Sequence, residues 1–124
     1  MNMNVLIVDV SEAVRKNIVT LLSEIGPFEI TETDNSEKAI KWFKQQPYHL
    51  VLSDWNMQTE EGNYLVQELR NLNQETPIVL TTTQQDQKQA IDINNGSTTD
   101  MLIKPFTTDS LRETLDKYLA AQSG

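Results

Sequence analysis

The stretch HLVLSDWNMQTEEG, residues 49–62, decides the fold, because its apolar run stops abruptly at an acid, Asp54. Leu50, Val51 and Leu52 follow one another without polar interruption, the pattern of a strand covered on both faces. Asp54 then stands where that strand opens into a loop, with Trp55 directly behind it. A strand-end aspartate is often a turn residue. The same position also suits a carboxylate presented for chemistry, and the remainder of the chain separates the two.

Working outward from residue 54, four further apolar runs stand out: NVLIVD (4–9), FEITET (28–33), PIVLTTT (77–83) and MLIK (101–104). The first and third of these are continuous Val/Leu/Ile blocks like 50–52, whereas FEITET alternates as an edge strand does. Segments of helical spacing lie between and after them. Val14, Ile18, Leu21, Leu22 and Ile25 share one stripe, closed by Gly26-Pro27. Ala39, Ile40 and Phe43 form a second stripe, ending before Pro47. Leu65, Leu69 and Leu72 form a third, and Leu111, Leu115, Tyr118 and Leu119 form the last. The fourth helix is the poorest, since from Thr81 to Thr99 only Ala90, Ile91 and Ile93 are apolar.

Strand and helix therefore alternate five times. A (βα)5 chain makes parallel strands with right-handed crossovers, hence an open three-layer α/β sheet. Ligand chemistry in such sheets gathers at the carboxyl ends of the strands, near the switch in strand order. The residues predicted there are Asp9, Val10, Asp54, Thr82 or Thr83, and Lys104. Two acids, a hydroxyl and an ammonium at one rim make a site for a cation and a phosphate.

Composition narrows the function classes. The chain has 124 residues, 18 acids against 10 bases and a formal net charge of -8, which argues against a nucleic-acid surface. It holds no cysteine, so thiol catalysis, disulfides and thiolate metal sites are excluded. No run approaches the roughly 20 apolar residues of a membrane span. The start, MNMNVLIVDV, lacks the basic region of a signal peptide. A cytoplasmic domain spanning residues 1–124, with no membrane or nucleic-acid partner, is the expectation.

VLIVD near the start, LVLSDWNM in the middle, the threonine after PIVL and LIKPF near the end together resemble the receiver domain of two-component response regulators, the chemotaxis type in particular. The resemblance covers essentially the whole chain. It implies a doubly wound, flavodoxin-like five-stranded sheet in the order 2-1-3-4-5. It further implies that Asp54 accepts a phosphoryl group from a sensor histidine kinase, with Mg2+ held by Asp9, Asp54 and the main-chain carbonyl of Asn56. Lys104 would pair with the phosphoryl oxygens, and Thr82 would bond one of them after transfer. Pro105 follows a lysine whose peptide bond to it is often cis in the family. A downstream protein would dock on the fourth helix, fifth strand and fifth helix. Such a domain is a signalling module with self-phosphotransfer chemistry and no separate enzyme activity.

Several positions depart from the family pattern. Val10 stands where a second acid usually ligates the metal, with Glu12, Glu60 or Glu61 as possible substitutes. Gln58 stands where a proline is usual, and Met101 replaces an aromatic switch residue. Thr83 takes the place of a small residue, and one extra residue falls between Gly96 and Lys104. Val10 and Met101 favour a phosphorylation-independent pseudo-receiver that docks constitutively. VLIVDVS also has a superficial likeness to the first motif of haloacid-dehalogenase-type phosphatases, but Ser11 stands where that motif needs its second acid. A flavin site fails because VSEA is no phosphate cradle. Trp42 is expected in helix packing, Trp55 partly exposed beside the site, and His49 at the surface or in packing. The end, AAQSG, suits a stand-alone regulator and a piece of a longer protein equally.

Overall fold

In a computed structural model of the chain, which describes residues 3–58, 64–94 and 98–123, the alternation expected from the sequence is realised. The order is β1 (Met3–Val8), α1 (Glu12–Ile25), β2 (Phe28–Thr33), α2 (Ser36–Gln45), β3 (Leu50–Asp54), α3 (Tyr64–Leu72), β4 (Ile78–Thr83), α4 (Gln87–Asn94), β5 (Asp100–Lys104) and α5 (Thr108–Ser123), with a short 3₁₀ turn, Trp55–Gln58, after β3. All four strand pairings are parallel, and the sheet order is β2-β1-β3-β4-β5. FEITET is indeed an edge strand, and the three apolar blocks fill the centre.

Helix starts are set by side chains that satisfy otherwise orphaned backbone N–H groups. The Ser11 hydroxyl accepts from the Val14 N–H at 3.2 Å, and the Asn35 side chain accepts from Lys38 at 2.9 Å. Before α5, Thr107 and Ser110 cap each other reciprocally: Ser110 N–H donates to Thr107 Oγ1 at 3.1 Å, and Thr107 N–H to Ser110 Oγ at 2.9 Å. At the end of α1 the Gly26 N–H reaches the Leu22 carbonyl at 3.1 Å, and Pro27 prevents continuation.

Because side chains alternate across a strand, each central strand feeds two cores. Val5, Ile7, Leu50, Leu52, Val79 and Leu102 face α1 and α5, packing on Ile18, Leu22, Leu111, Leu115 and Leu119. Leu6, Val8, Val51 and Ile78 face α2 and α3, packing on Ala39, Ile40, Phe43, Leu65, Val66 and Leu69. Truncating any one of these leucines to alanine costs about 2–5 kcal/mol. The α4 side has only a small cluster, in which Ala90 meets Leu80 and Trp55, with Met101 against them. Trp55 is thus buried, at 7 % exposure, rather than partly exposed as expected. The physical reason is that α4 lays its one well-buried small side chain over the indole and Leu80. Trp42 is partly buried against the α2–α3 core, as expected.

Crossing from β2 back over β1 to β3 reverses the direction in which strands are added. The crevice of a doubly wound sheet opens at such a reversal, here between the ends of β1 and β3. Among the described residues no helix is long and apolar enough to cross a membrane.

Candidate functional site

Three strand ends converge at that crevice. β1 runs into Asp9, β3 ends on Asp54 and β5 ends on Lys104. The Lys104 ammonium lies 2.8 Å from Asp9 Oδ2 and 3.1 Å from Asp54 Oδ1, so it donates to both carboxylates at once. Asp9 is 2 % and Asp54 5 % exposed, while the side chain of Lys104 is 17 % exposed. Two carboxylates this buried persist as anions only with a cation or strong donors beside them, and here the ammonium supplies the cation. Arrangement and burial together set this aspartate pair apart from ordinary turn residues.

Asp9 is held on every polar atom. Its N–H donates to the Thr33 carbonyl at 3.1 Å, and its Oδ1 accepts from the Ser11 N–H at 2.8 Å. Its carbonyl accepts from Arg15 Nη1 at 2.6 Å, and Arg15 Nε donates to Glu32 Oε1 at 2.9 Å. The Arg15–Glu32 link went unread in the sequence; its one signal is an arginine a turn past the helix cap with an acid on the neighbouring edge strand.

The other expected site residues are placed as follows. Thr82 is fully buried on β4, and its hydroxyl donates to the Thr83 carbonyl at 3.1 Å. In the sheet register Asp54 pairs with Thr81, and Thr82 pairs with Ile103. Thr83, beside Lys104 in register, is exposed. The Asn56 main chain lies in the 3₁₀ turn directly after Asp54. Lys104-Pro105 is a cis peptide bond. Val10 is 59 % exposed and brings no polar atom to the rim. Glu12 is exposed, and its carboxylate is paired with Lys16 at 2.9 Å, which also lowers its pKa. Glu60, Glu61 and Gly96 lie outside the described residues. His49, expected at the surface or in packing, is half-buried and structural: its Nδ1 accepts the Asn4 N–H at 2.9 Å.

The donor set is compatible with magnesium. That ion takes hard oxygen ligands, commonly one or two carboxylates, and keeps several waters. Asp9 and Asp54 supply two carboxylates at one point; among the described residues no cluster of three or more His, Cys, Asp or Glu side chains exists to offer more.

Comparison with known proteins agrees with this geometry. Residues 5–116 match the family model described as the response regulator receiver domain. The chain is 30% identical over 118 residues to the chemotaxis protein CheY-3 of Vibrio cholerae, covering 94% of this chain and 91% of that protein. It is likewise 30% identical over 122 residues to the chemotaxis protein CheY1 of Helicobacter pylori, covering 94% and 97%. Among solved structures, chemotaxis protein CheY4 of V. cholerae superposes with a TM-score of 0.80 at 26% identity, over 95% of this chain and 99% of that one. The receiver domain of the sensor histidine kinase PA1611 of Pseudomonas aeruginosa, solved with magnesium coordinated in its active-site cleft, gives 0.82 at 21% identity, over 97% and 99%. The chain belongs to the response regulator receiver family, and within it resembles the chemotaxis type.

Proposed function

We propose that this receiver accepts a phosphoryl group on Asp54 from a phosphohistidine of a sensor kinase. The observation that carries this reading is one ammonium, Lys104, joining two buried carboxylates from separate strand ends at the switch point of the sheet. An Asp54 oxygen would attack phosphorus in line with the P–N bond. The new P–O bond forms as that bond breaks, and the histidine nitrogen leaves with the electron pair and takes up a proton.

A carboxylate is a weak nucleophile, so such a step depends on positioning and on shielding the charge of the incoming group. Lys104 is already within hydrogen-bond distance of Asp54 and would turn to the phosphoryl oxygens while keeping Asp9. Mg2+ held by Asp9, Asp54 and the Asn56 main-chain carbonyl would neutralise further charge on those oxygens. Thr82 would leave the Thr83 carbonyl by rotating its side chain, and would then donate to the aspartyl phosphate. A downstream protein would read the change on α4, β5 and α5, where Ile91 is already 52 % exposed and Met101 lies half-buried beside Ala90.

The competing reading, a pseudo-receiver that docks without phosphorylation, draws support from Val10, which withdraws one carboxylate from the rim. Intact mass after incubation with acetyl phosphate, with and without Mg2+, separates the two. One added phosphoryl that needs Asp54 and the metal supports the acceptor; an unmodified chain supports constitutive docking.

A further inference from the structure

Val10 changes what is asked of its neighbour. With no acid at position 10, Asp9 is the single carboxylate that β1 brings to the rim, so its aim is not shared with a second ligand. Besides Lys104 on Oδ2 and the Ser11 N–H on Oδ1, its aim is supported from outside the crevice. Arg15 stands on the first turn of α1, its side chain only 14% exposed, and its guanidinium spans two strands. Nη1 meets the Asp9 carbonyl at 2.6 Å, and Nε meets Glu32 on β2 at 2.9 Å. A planar guanidinium makes such bonds along fixed directions, so Glu32 orients Arg15 and Arg15 orients the Asp9 peptide.

The same peptide leads into the turn whose Ser11 N–H holds Asp9 Oδ1 at 2.8 Å. The Arg15 N–H bonds the Ser11 carbonyl at 3.0 Å, so backbone and side chain of Arg15 grip both ends of that turn. We propose that Arg15, oriented by Glu32, is a positioning residue that fixes the Asp9 carboxylate for cation and phosphoryl binding. This inference rests on the acceptor reading of Asp54 for its phosphoryl half, and on the Asp9 geometry alone for its cation half.

The test compares wild type with Arg15→Ala, Arg15→Lys and Glu32→Gln. Mg2+ affinity is read by nuclear magnetic resonance from the Ser11 amide, which donates to the Asp9 carboxylate, and acetyl phosphate uptake is read by intact mass. Loss of a partner that orients a metal ligand weakens affinity by about tenfold, the expectation for Arg15→Ala. Arg15→Lys should not restore it, because one ammonium cannot follow both bond directions. Glu32→Gln, a mild surface change, should give an intermediate loss with an unchanged melting temperature. Wild-type Mg2+ affinity in all three variants overturns the proposal, whatever happens to their stability. So does a wild-type Ser11 amide that fails to move on Mg2+ addition. A wild-type chain that binds Mg2+ but takes no phosphoryl removes the acceptor reading and leaves the role of Arg15 standing.

Discussion

The two ends of the sheet handle polar groups in opposite ways. At the carboxyl rim, two buried acids from separate strand ends converge on one lysine. At the amino end, polar groups close the loops. The His49 ring takes the Asn4 N–H, and the Arg70 guanidinium caps the Thr76 carbonyl at 2.7 Å and Thr99 Oγ1 at 3.2 Å. Tyr118 and Lys117 of α5 reach Asp100 at the start of β5, at 2.8 and 3.3 Å. One end gathers buried charged groups at the crevice of the sheet. The other spends its hydrogen bonds on holding strands and helices in place. The groups that close loops and the groups of the candidate site are thereby separated along the strand axis.

Breaking the rim should abolish chemistry while sparing the fold. Asp54→Ala should eliminate phosphoryl uptake from acetyl phosphate altogether, measured as intact mass; residual Mg2+-dependent uptake would place the acceptor elsewhere. Lys104→Ala removes the shared donor and should slow uptake by about a hundredfold, the scale of losing one charge-stabilising group. Restoring the acid sharpens the contrast instead: Val10→Asp should tighten Mg2+ binding by about tenfold, since affinity follows the number of charged ligands. Calorimetric titration checks this, and an unchanged affinity would refute the account of Val10.

Breaking the amino end should do the reverse. Arg70→Ala leaves the Thr76 carbonyl without a guanidinium donor and should cost about 1–3 kcal/mol in denaturant unfolding, with phosphoryl uptake unchanged. Burial lowers the Arg70 pKa, because removal from water disfavours the guanidinium's charge. The smallest effect concerns Tyr118. Burial, then the hydrogen bond and charge of Asp100, push its pKa up to about 12 from an ordinary 10.0. A pKa raised on folding stabilises below the unfolded value and is lost as pH climbs through the folded one. Stability should therefore decline between about pH 10 and 12. Tyr118→Phe should flatten that decline, as thermal melts across the range would show. Asp100 carries the mirror effect. Its burial would raise its pKa, but the bonds from Tyr118, the Met101 N–H and Lys117 outweigh it and lower the value. That contribution is lost as pH falls through the lowered value.

Most of the fold was legible because burial on both faces leaves a local mark. The blocks around Leu6, Leu52 and Val79 could hardly be anything but central strands, and the polar 81–99 segment announced a weakly packed α4. Asp9, Asp54 and Lys104 were legible too, since strand ends in a parallel sheet meet at one rim. Three features were not. The Arg15–Glu32 bond joins side chains on different elements, 17 residues apart, and no periodicity encodes it. The burial of Trp55 depends on where α4 lands. His49 looked incidental because its partner is a backbone N–H, which every residue but proline carries.

The edge strand β2 has a consequence of another kind. It pairs with β1 on one side only, and an open strand edge is a template for pairing with another chain. Glu29 and Glu32 lie along its six residues, on a chain whose formal net charge is -8. A second copy adding its own Phe28–Thr33 antiparallel to this one would set Glu29 against Glu32, with Arg15 offsetting part of the charge. The alternation that marks FEITET as an edge also carries the repulsion that discourages the sheet from growing past it.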